Sequence, residues 1–465
     1  MMRSLYSGVA GLRTHQTRMD VIGNNIANVN TVGYKFQSMN FSDMLYQTTS
    51  AASGPNAATG TGGVNARQIG LGSKTAAITT AITQAGAAQT TNNPFDIYIT
   101  GESFFVVSDG SDTLFTRDGS FAVDAVGNLV MSSNGYNVMG WLPDTEDPNS
   151  VKKVDVKPLN IMGYSTFDPE ATTLGYATGI IDSNDTNVNS QAGKVINLKF
   201  YDKKGYSYTA KFTVSNNGIT EQGTFALKLD SIVDSSGVKL TDNPATSIGG
   251  NTANQMYIHF DKATGSFLGI DTNQPAGTTL SDKITLDFAN TNATDAQVNF
   301  EDLEIDFSEL SNVNNDGSST VSLTSGASGK ERSGGLAPGQ GRGRKRGNMT
   351  GVSITNNGSI YATYDNGQSR LLGQIAAASF ANAMGLEKAG DNLYKQSQNS
   401  GTFDGIGVDV TADGGYFTTG ELEMSNVDLS NELTTMIVTQ RGFQANSRII
   451  TVSDTMLEEL VNLKR

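Results

Sequence analysis

Catalysis usually rests on histidine, cysteine or paired carboxylates, and this 465-residue sequence is short of the first two. It has no Cys and two His, His15 and His259. Thiolate metal sites, disulfides and Cys nucleophiles are therefore excluded, and a His-dependent triad or multi-His metal site nearly so. The stretch DSNDTNVNS at 182–190 offers oxygen ligands but not the spacing of a calcium loop, and reads better as a polar turn. GQGRGRKRG at 339–347 is not a phosphate-binding P-loop. It has no strand–loop–helix context and no nearby aromatics to stack on bases. No carboxylate pair stands out among the scattered Asp and Glu. The expectation is a protein that is not an enzyme and carries no cofactor.

The most pointed local pattern is NNIANVNTVGYK at 24–35, with Asn24, Asn25, Asn28 and Asn30 in seven residues. Asn is poor inside a helix because its amide competes for nearby backbone groups. It suits frayed helix ends and turns, and Gly33 adds a position free to take positive φ. A plain helix stop would need one such residue.

The helix that this motif ends runs through residues 2–27. Met2, Leu5, Val9, Leu12, Met19 and Ile26 follow a heptad-like spacing, and Ile22 widens the stripe. The other end of the chain repeats the device. Leu429, Met436, Phe443, Ile450 and Leu457 are seven apart, with Leu433 and Val461 in the companion row. Gln440, Ser447 and Asp454 interrupt that row, and Ile437, Ile449, Val452, Met456 and Leu460 form a second apolar stripe. This helix should be about 50 Å long. Residues 1–40 are net basic and 421–465 net acidic. The two ends could thus pair as a coiled coil. The stripes alone leave open a helical hairpin within a monomer or a polymerisation element facing other subunits.

Between the ends, composition favours strands and turns. Only 37% of residues are apolar and Gly numbers 52. The expected fold is mainly β with long helical termini, nested. Residues 1–40 and 425–465 form the helical polymerisation domain. Residues 41–90 form an extended linker, low in complexity over 48–66. A flanking β domain spans 91–145 and 345–424, with Asp118-Gly119, Asn134-Gly135, Asn357-Gly358 and Asn366-Gly367 as turns. An outer β domain occupies 146–310. There Ile196, Leu198 and Phe200 share a face, as do Tyr206, Tyr208, Phe212 and Val214. A polar, Gly-rich connection covers 311–344. The two β-rich domains should stack outward from the helices.

The net charge of −14 disfavours nucleic-acid partners. No apolar run reaches the length of a membrane span, and the N-terminus lacks a secretory h-region.

SLYSGVAGLRTHQTRMDVIGNNIANVNTVGYK resembles the N-terminal signature of bacterial flagellar axial proteins. DIYITGESFFVV, FTRDGSFAVDAVGNLV and GYNVMGW resemble that family's first β segment. DNGQSRLLGQIAAASFANAMGLEKAGDNLYKQSQNSG is similar to the returning segment of hook proteins, and the last 45 residues are similar to the C-terminal signature. The resemblance covers about half the chain. It implies an extracellular helical polymer, the flagellar hook, exported by the type III apparatus without a cleaved signal peptide. The implied partners are further copies of the chain, the rod, the hook cap, the hook–filament junction protein and the export apparatus. The motif residues carried over are Asn24, Asn25, Ala27, Asn28, Thr31 and Gly33. The large inserted domain favours hook over distal rod.

Arg342, Arg344, Lys345 and Arg346 depart from the family pattern. They are read either as a solvated loop or as an intersubunit contact. Covalent Cys–Lys crosslinking, used by some relatives, is ruled out by the lack of Cys. The reading from a different class is a secreted β-rich adhesin.

Overall fold

The computed structural model describes every residue except 1, 56–59, 61, 145, 146, 148, 241–246, 249, 250, 252, 253, 275, 278, 289–299, 331–335, 464 and 465. The chain divides into two compact units. The first comprises Met1–Tyr164, Gly351–Thr363 and Ser369–Arg465, and the second Ser165–Thr350 and Tyr364–Gln368.

Two long helices open and close the first unit, α1 (Met2–Ala27) and α2 (Leu429–Asn462). Asp428 caps α2: its side chain accepts hydrogen bonds from the backbone N–H groups of Ser430 and Asn431. That satisfies two of the amides left unpaired in the first turn. After α1 the chain does not run as a plain linker. Gln37–Asp43 pairs antiparallel with Ser73–Thr80, with a bulge at Asn40/Phe41. Tyr46–Ser50 then pairs with Arg67–Gly70. Thr, Ser and Gln rich strands can close a ladder of backbone bonds without an apolar face, so this second hairpin segment is exposed throughout.

The main sheet of this unit interleaves early and late sequence. Its order is Ser359–Tyr364, Ser369–Ile375, Asn137–Trp141, Phe104–Ser108, Thr113–Thr116, Leu393–Lys395, Glu387–Gly390. The apolar run Phe104–Val107 is buried on both faces, as expected of a central strand. Phe104 and Phe115 pack edge-on against Phe380. The nested layout follows from this pairing: Gly140 pairs with Ile375 and Thr116 with Leu393, residues far apart in sequence on neighbouring strands.

The second unit has two five-stranded sheets sharing one core. One runs Lys194–Tyr201, Ser207–Ser215, Thr224–Asp234, Gln255–Phe260, Phe267–Asp271. The other runs Ser247–Ile248, Lys283–Asp287, Leu303–Ser311, Leu174–Ile180, Ser322–Ser325. Ile196, Leu198 and Phe200 point inward, as their alternation requires. Phe212 and Val214 are also buried. Tyr206 is not: it sits in the turn before the strand and is 65% exposed. The turn itself is built by Asp202, whose carboxylate accepts from the N–H groups of Lys204 and Tyr206.

Two boundaries differ from the sequence expectation. The inserted unit begins at Ser165, because Asn137–Trp141 also pairs with Lys157–Pro158 and holds residues up to Tyr164 in the first unit. The Gly-rich connection contains a strand: Ser322–Ser325 pairs with Leu174–Ile180 and buries Leu323.

Candidate assembly site

The two helices run antiparallel, with Ser4 Oγ 3.3 Å from Ser453 Oγ at one end and Asn25 bonded to Glu432 near the other. Their contact is lined by small and polar residues. In α1 the buried positions are Gly8, Gly11, Thr14, Ile22 and Asn25. In α2 they are Glu432, Thr439 and Ser453, seven and fourteen residues apart. A Cβ on Gly11 would lie 2.7 Å from the Asn446 amide, and one on Gly442 would lie 2.6 Å from the His15 ring. Glycine at both positions is what allows the backbones to approach this closely.

The apolar stripes therefore turn away from the partner helix in large part. Val9, Leu429, Leu433, Ile437, Val438, Phe443, Ile449, Val452, Met456, Leu460 and Val461 are all exposed. Leu5, Leu12, Met19, Ile26, Met436, Ile450 and Leu457 are half-buried. Ile450 approaches Gly8, with Cγ1 3.2 Å from the position of an added Cβ. Of the stripe positions named from the sequence, Ile22 alone is fully buried. The signal for the actual contact was present as a heptad of small and polar residues (Glu432, Thr439, Asn446, Ser453). It carries no hydrophobic weight, so a search for apolar periodicity passes over it.

The Asn motif ties the end of α1 to both neighbours. The buried Asn25 amide donates to Gln37 O at 2.7 Å and to Glu432 Oε2 at 3.0 Å. Its oxygen accepts from the Tyr34 hydroxyl and the Gln37 N–H, each at 3.1 Å. Asn24 donates to Tyr34 Oη. Asn28 returns a bond to Asn24 O and accepts from Thr31 Oγ1, forming the turn that follows the helix. Ala27 is the last helical residue and is exposed. Gly33 has φ +67, donates to Glu423 O at 2.7 Å, and lies so close to Arg117 and Asp118 that a Cβ would meet their backbone at 2.9–3.0 Å.

Directly behind the motif is a buried charge cluster that sequence reasoning missed. Lys35 Nζ donates to Glu423 Oε1 and to Gln84 O, both at 2.7 Å. Glu423 Oε1 also accepts from Gly86 N–H. Arg117 Nη1 lies 3.7 Å from Glu423 Oε2. All three side chains are about 1% exposed. Burial pulls the Lys35 ammonium down, against the opposing attraction of Glu423. The Arg117 guanidinium is lowered for the same first reason. Asn426 adds a further tie, accepting from Phe36 N–H and donating to Ala81 O. One polar knot thus joins the start of the chain, the hairpin and the strand leading into α2. No spacing rule links residues almost 390 apart, so only the fold reveals it.

Elsewhere, Asp182 and Asp185 cap backbone N–H groups of Asn184, Asn315, Gly317 and Ser319. Among the described residues no group of three or more His, Cys, Asp or Glu could hold a metal. None of the described helices is long and apolar enough to cross a membrane. The four cations of 342–346 do not act alike. Arg344 is paired with Glu170 and lies over the Phe167 ring at 4.4 Å. Lys345 approaches Asp365 at 3.7 Å. Arg342 and Arg346 are exposed.

The two terminal helical segments, the Asn motif and the first β segment fall within sequences that match the flagellar rod and hook class. Family models for "Flagella basal body rod protein", "Flagellar hook protein FlgE/F/G D1 domain" and "Flagellar basal body rod FlgEFG protein C-terminal" match residues 5–35, 98–163 and 418–463. Over its whole length the chain is 37% identical to the whole flagellar hook protein FlgE of Treponema pallidum and 37% to that of Borreliella burgdorferi. It is 29% identical, again whole to whole, to the flagellar basal-body rod protein FlgG of Bacillus subtilis. A rod protein thus also matches over the full length, but the higher identity lies with the hook proteins, as the inserted domain leads one to expect. The chain belongs to the flagellar hook protein FlgE family.

Proposed function

We propose that this chain is the structural subunit of a flagellar hook, assembling into a helical tube. The tube acts as a flexible joint between rod and filament and carries later subunits through its channel. The observation that carries the reading is the helix pair. It closes on itself through glycine and polar residues and leaves more than ten large apolar side chains exposed on one unit. Contiguous apolar surface of this kind marks an interaction site. Repeated contacts between copies would cover it, each side chain contributing about 1.5–3 kcal/mol on full burial. The terminal helices would then form the coiled-coil polymerisation domain. Residues Leu5, Val9, Leu12, Met19 and Ile26 would pack together with Leu429, Leu433, Met436, Phe443, Ile450, Leu457 and Val461 across subunits. The polar knot at Asn25 and Glu423 would hold the helices at a fixed angle to their β unit. Few covalent crossings, at Tyr164/Ser165 and Thr350/Gly351 among them, join the two units, so each unit can stay rigid while spacing between subunits changes during rotation. The same resemblance points to rod, cap, junction protein and export apparatus as partners.

Electron microscopy of concentrated purified protein tests this. Tubes of uniform width and variable length are expected. A species that stays discrete at all concentrations would point to an adhesin-like binding protein instead.

A further inference from the structure

The second unit carries a groove of about 760 Å³ lined by strand Lys194–Tyr201 of one sheet, strand Ser322–Ser325 of the other and the loop at 342–345. Alternation in Lys194–Tyr201 sends Ile196, Leu198 and Phe200 into the core and leaves Asn197, Lys199 and Tyr201 lining the groove. Arg342, Arg344 and Lys345 line it too. Gly343 (φ +67) presses the loop against Thr172, where a Cβ would lie 2.3 Å from the threonine hydroxyl, and so fixes where the flanking cations stand. Two of the four cations are already engaged within the chain. Arg344 is held by Glu170 and by Gln368 Oε1, and Lys345 faces Asp365. Lys199 and Arg342 are exposed and form no ion pair among the described residues.

The geometry points to this groove as a docking surface for a carboxylate-bearing surface of a second copy of this chain, with Lys199 and Arg342 as the contacts. This rests on the polymer reading. The chain has 46 acidic residues against 32 basic ones, so neighbouring copies repel unless their contacts place cations opposite carboxylates. The groove is polar and holds an excess of positive charge, so the contact is solvated rather than close-packed. A wet, charge-matched contact is one that can shift during bending while a packed apolar one resists. Arg344 and Lys345 position the loop; they are not the contact.

The test is carbodiimide crosslinking of tubes grown from a mixture of ¹⁴N and ¹⁵N protein, read by mass spectrometry. Carbodiimide joins an amine to a carboxylate in contact with it. Mixed-isotope peptides joining Lys199 to an Asp or Glu are expected, and Lys345–Asp365 should give only same-isotope links. Tubes in which Lys345–Asp365 links form but Lys199 gives no mixed-isotope link would overturn the docking contact. Failure to form any tube would overturn the polymer reading instead. A second arm replaces Arg342 by Glu. Tubes should still form, since the helices are untouched, and the yield of mixed-isotope Lys199 links should fall at least fivefold. An unchanged yield would show that this groove does not hold the carboxylate.

Discussion

Asn25 and Glu432 lie 407 residues apart in sequence, and the amide of the first donates to the carboxylate of the second at 3.0 Å in a buried site. Glu432 stands in the first turn of α2, where the helix dipole favours a negative charge. The amide supplies a neutral donor for it. Replacing Asn25 by Asp would set two carboxylates against each other out of water. The variant should lose stability by about 2 kcal/mol or more near neutral pH. Because facing carboxylates raise each other's pKa, the loss should shrink as the pH falls and one of them takes up a proton. Urea melts followed by circular dichroism at several pH values measure both. A loss independent of pH would refute the pairing.

The glycine contact between the helices predicts opposite effects at two positions of α1. Gly11 faces the Asn446 amide, and Gly23 has nothing within 4 Å of an added Cβ. Gly11→Leu should force the helices apart and cost about 1–3 kcal/mol. Gly23→Ala should stabilise the isolated chain by about 0.5–1 kcal/mol through helix propensity. Thermal melts of the two variants decide the point; equal responses would mean the helices do not pack as described.

Glu423 compensates Lys35 and stands near Arg117 in a site closed to water. Glu423→Gln should cost about 3–5 kcal/mol, since it leaves buried positive charge without a counter-ion. Replacing both Lys35 and Glu423 by Met should be less harmful than the single change. A double-mutant cycle by chemical denaturation reads this directly, and additive losses would show the two charges to be independent.

Part of this was open to the sequence and part was not. The two terminal helices, the strand alternation at Ile196, Leu198 and Phe200, and the turns at Asn357-Gly358 and Asn366-Gly367 follow from periodicity and turn chemistry. Asp118-Gly119, expected as a turn, lies in extended chain between strands that do not pair with each other. The Asn motif was recognisable as more than a helix stop. What it holds was not, because Lys35, Arg117 and Glu423 come from distant segments brought together by pairing. The residues of the helix contact inside the chain were not legible for a different reason. Hydrophobic periodicity finds faces that need cover but does not say which partner covers them. Here Gly8, Gly11 and Gly442 serve the contact inside the chain, and the apolar faces remain outside it. The strand at Ser322–Ser325 escaped because its four residues, SLTS, carry a single apolar side chain.

Acid should weaken the second unit through its turn carboxylates. Burial pushes the Asp185 carboxyl up, but the N–H groups of Ser319 and Asn187, the Ser319 hydroxyl and the Lys194 ammonium together outweigh it and hold the carboxyl well below the usual range. Asp182 is also lowered, first by the Asn184 N–H and then by that of Asn315. A carboxyl depressed on folding adds stability above its unfolded pKa of about 4 and loses it as the pH falls further. The hydrogen-exchange protection factors of the strand at Leu174–Ile180, each taken against the intrinsic rate at the same pH, should therefore fall below about pH 4, and Asp185→Asn should flatten that dependence. Protection factors that stay constant from pH 5 to pH 2 would contradict it.

The central claim is that the exposed apolar residues of α2 are what copies of this chain use to assemble. Val438 is 64% and Val452 55% exposed, and neither supports the contact with α1. The most direct measurement is electron microscopy and sedimentation of the Val438→Glu, Val452→Glu double variant beside the unchanged protein. The account predicts a folded chain with an unaltered circular dichroism spectrum that sediments as a monomer and forms no tubes. Tubes of normal width and yield from the double variant would contradict it.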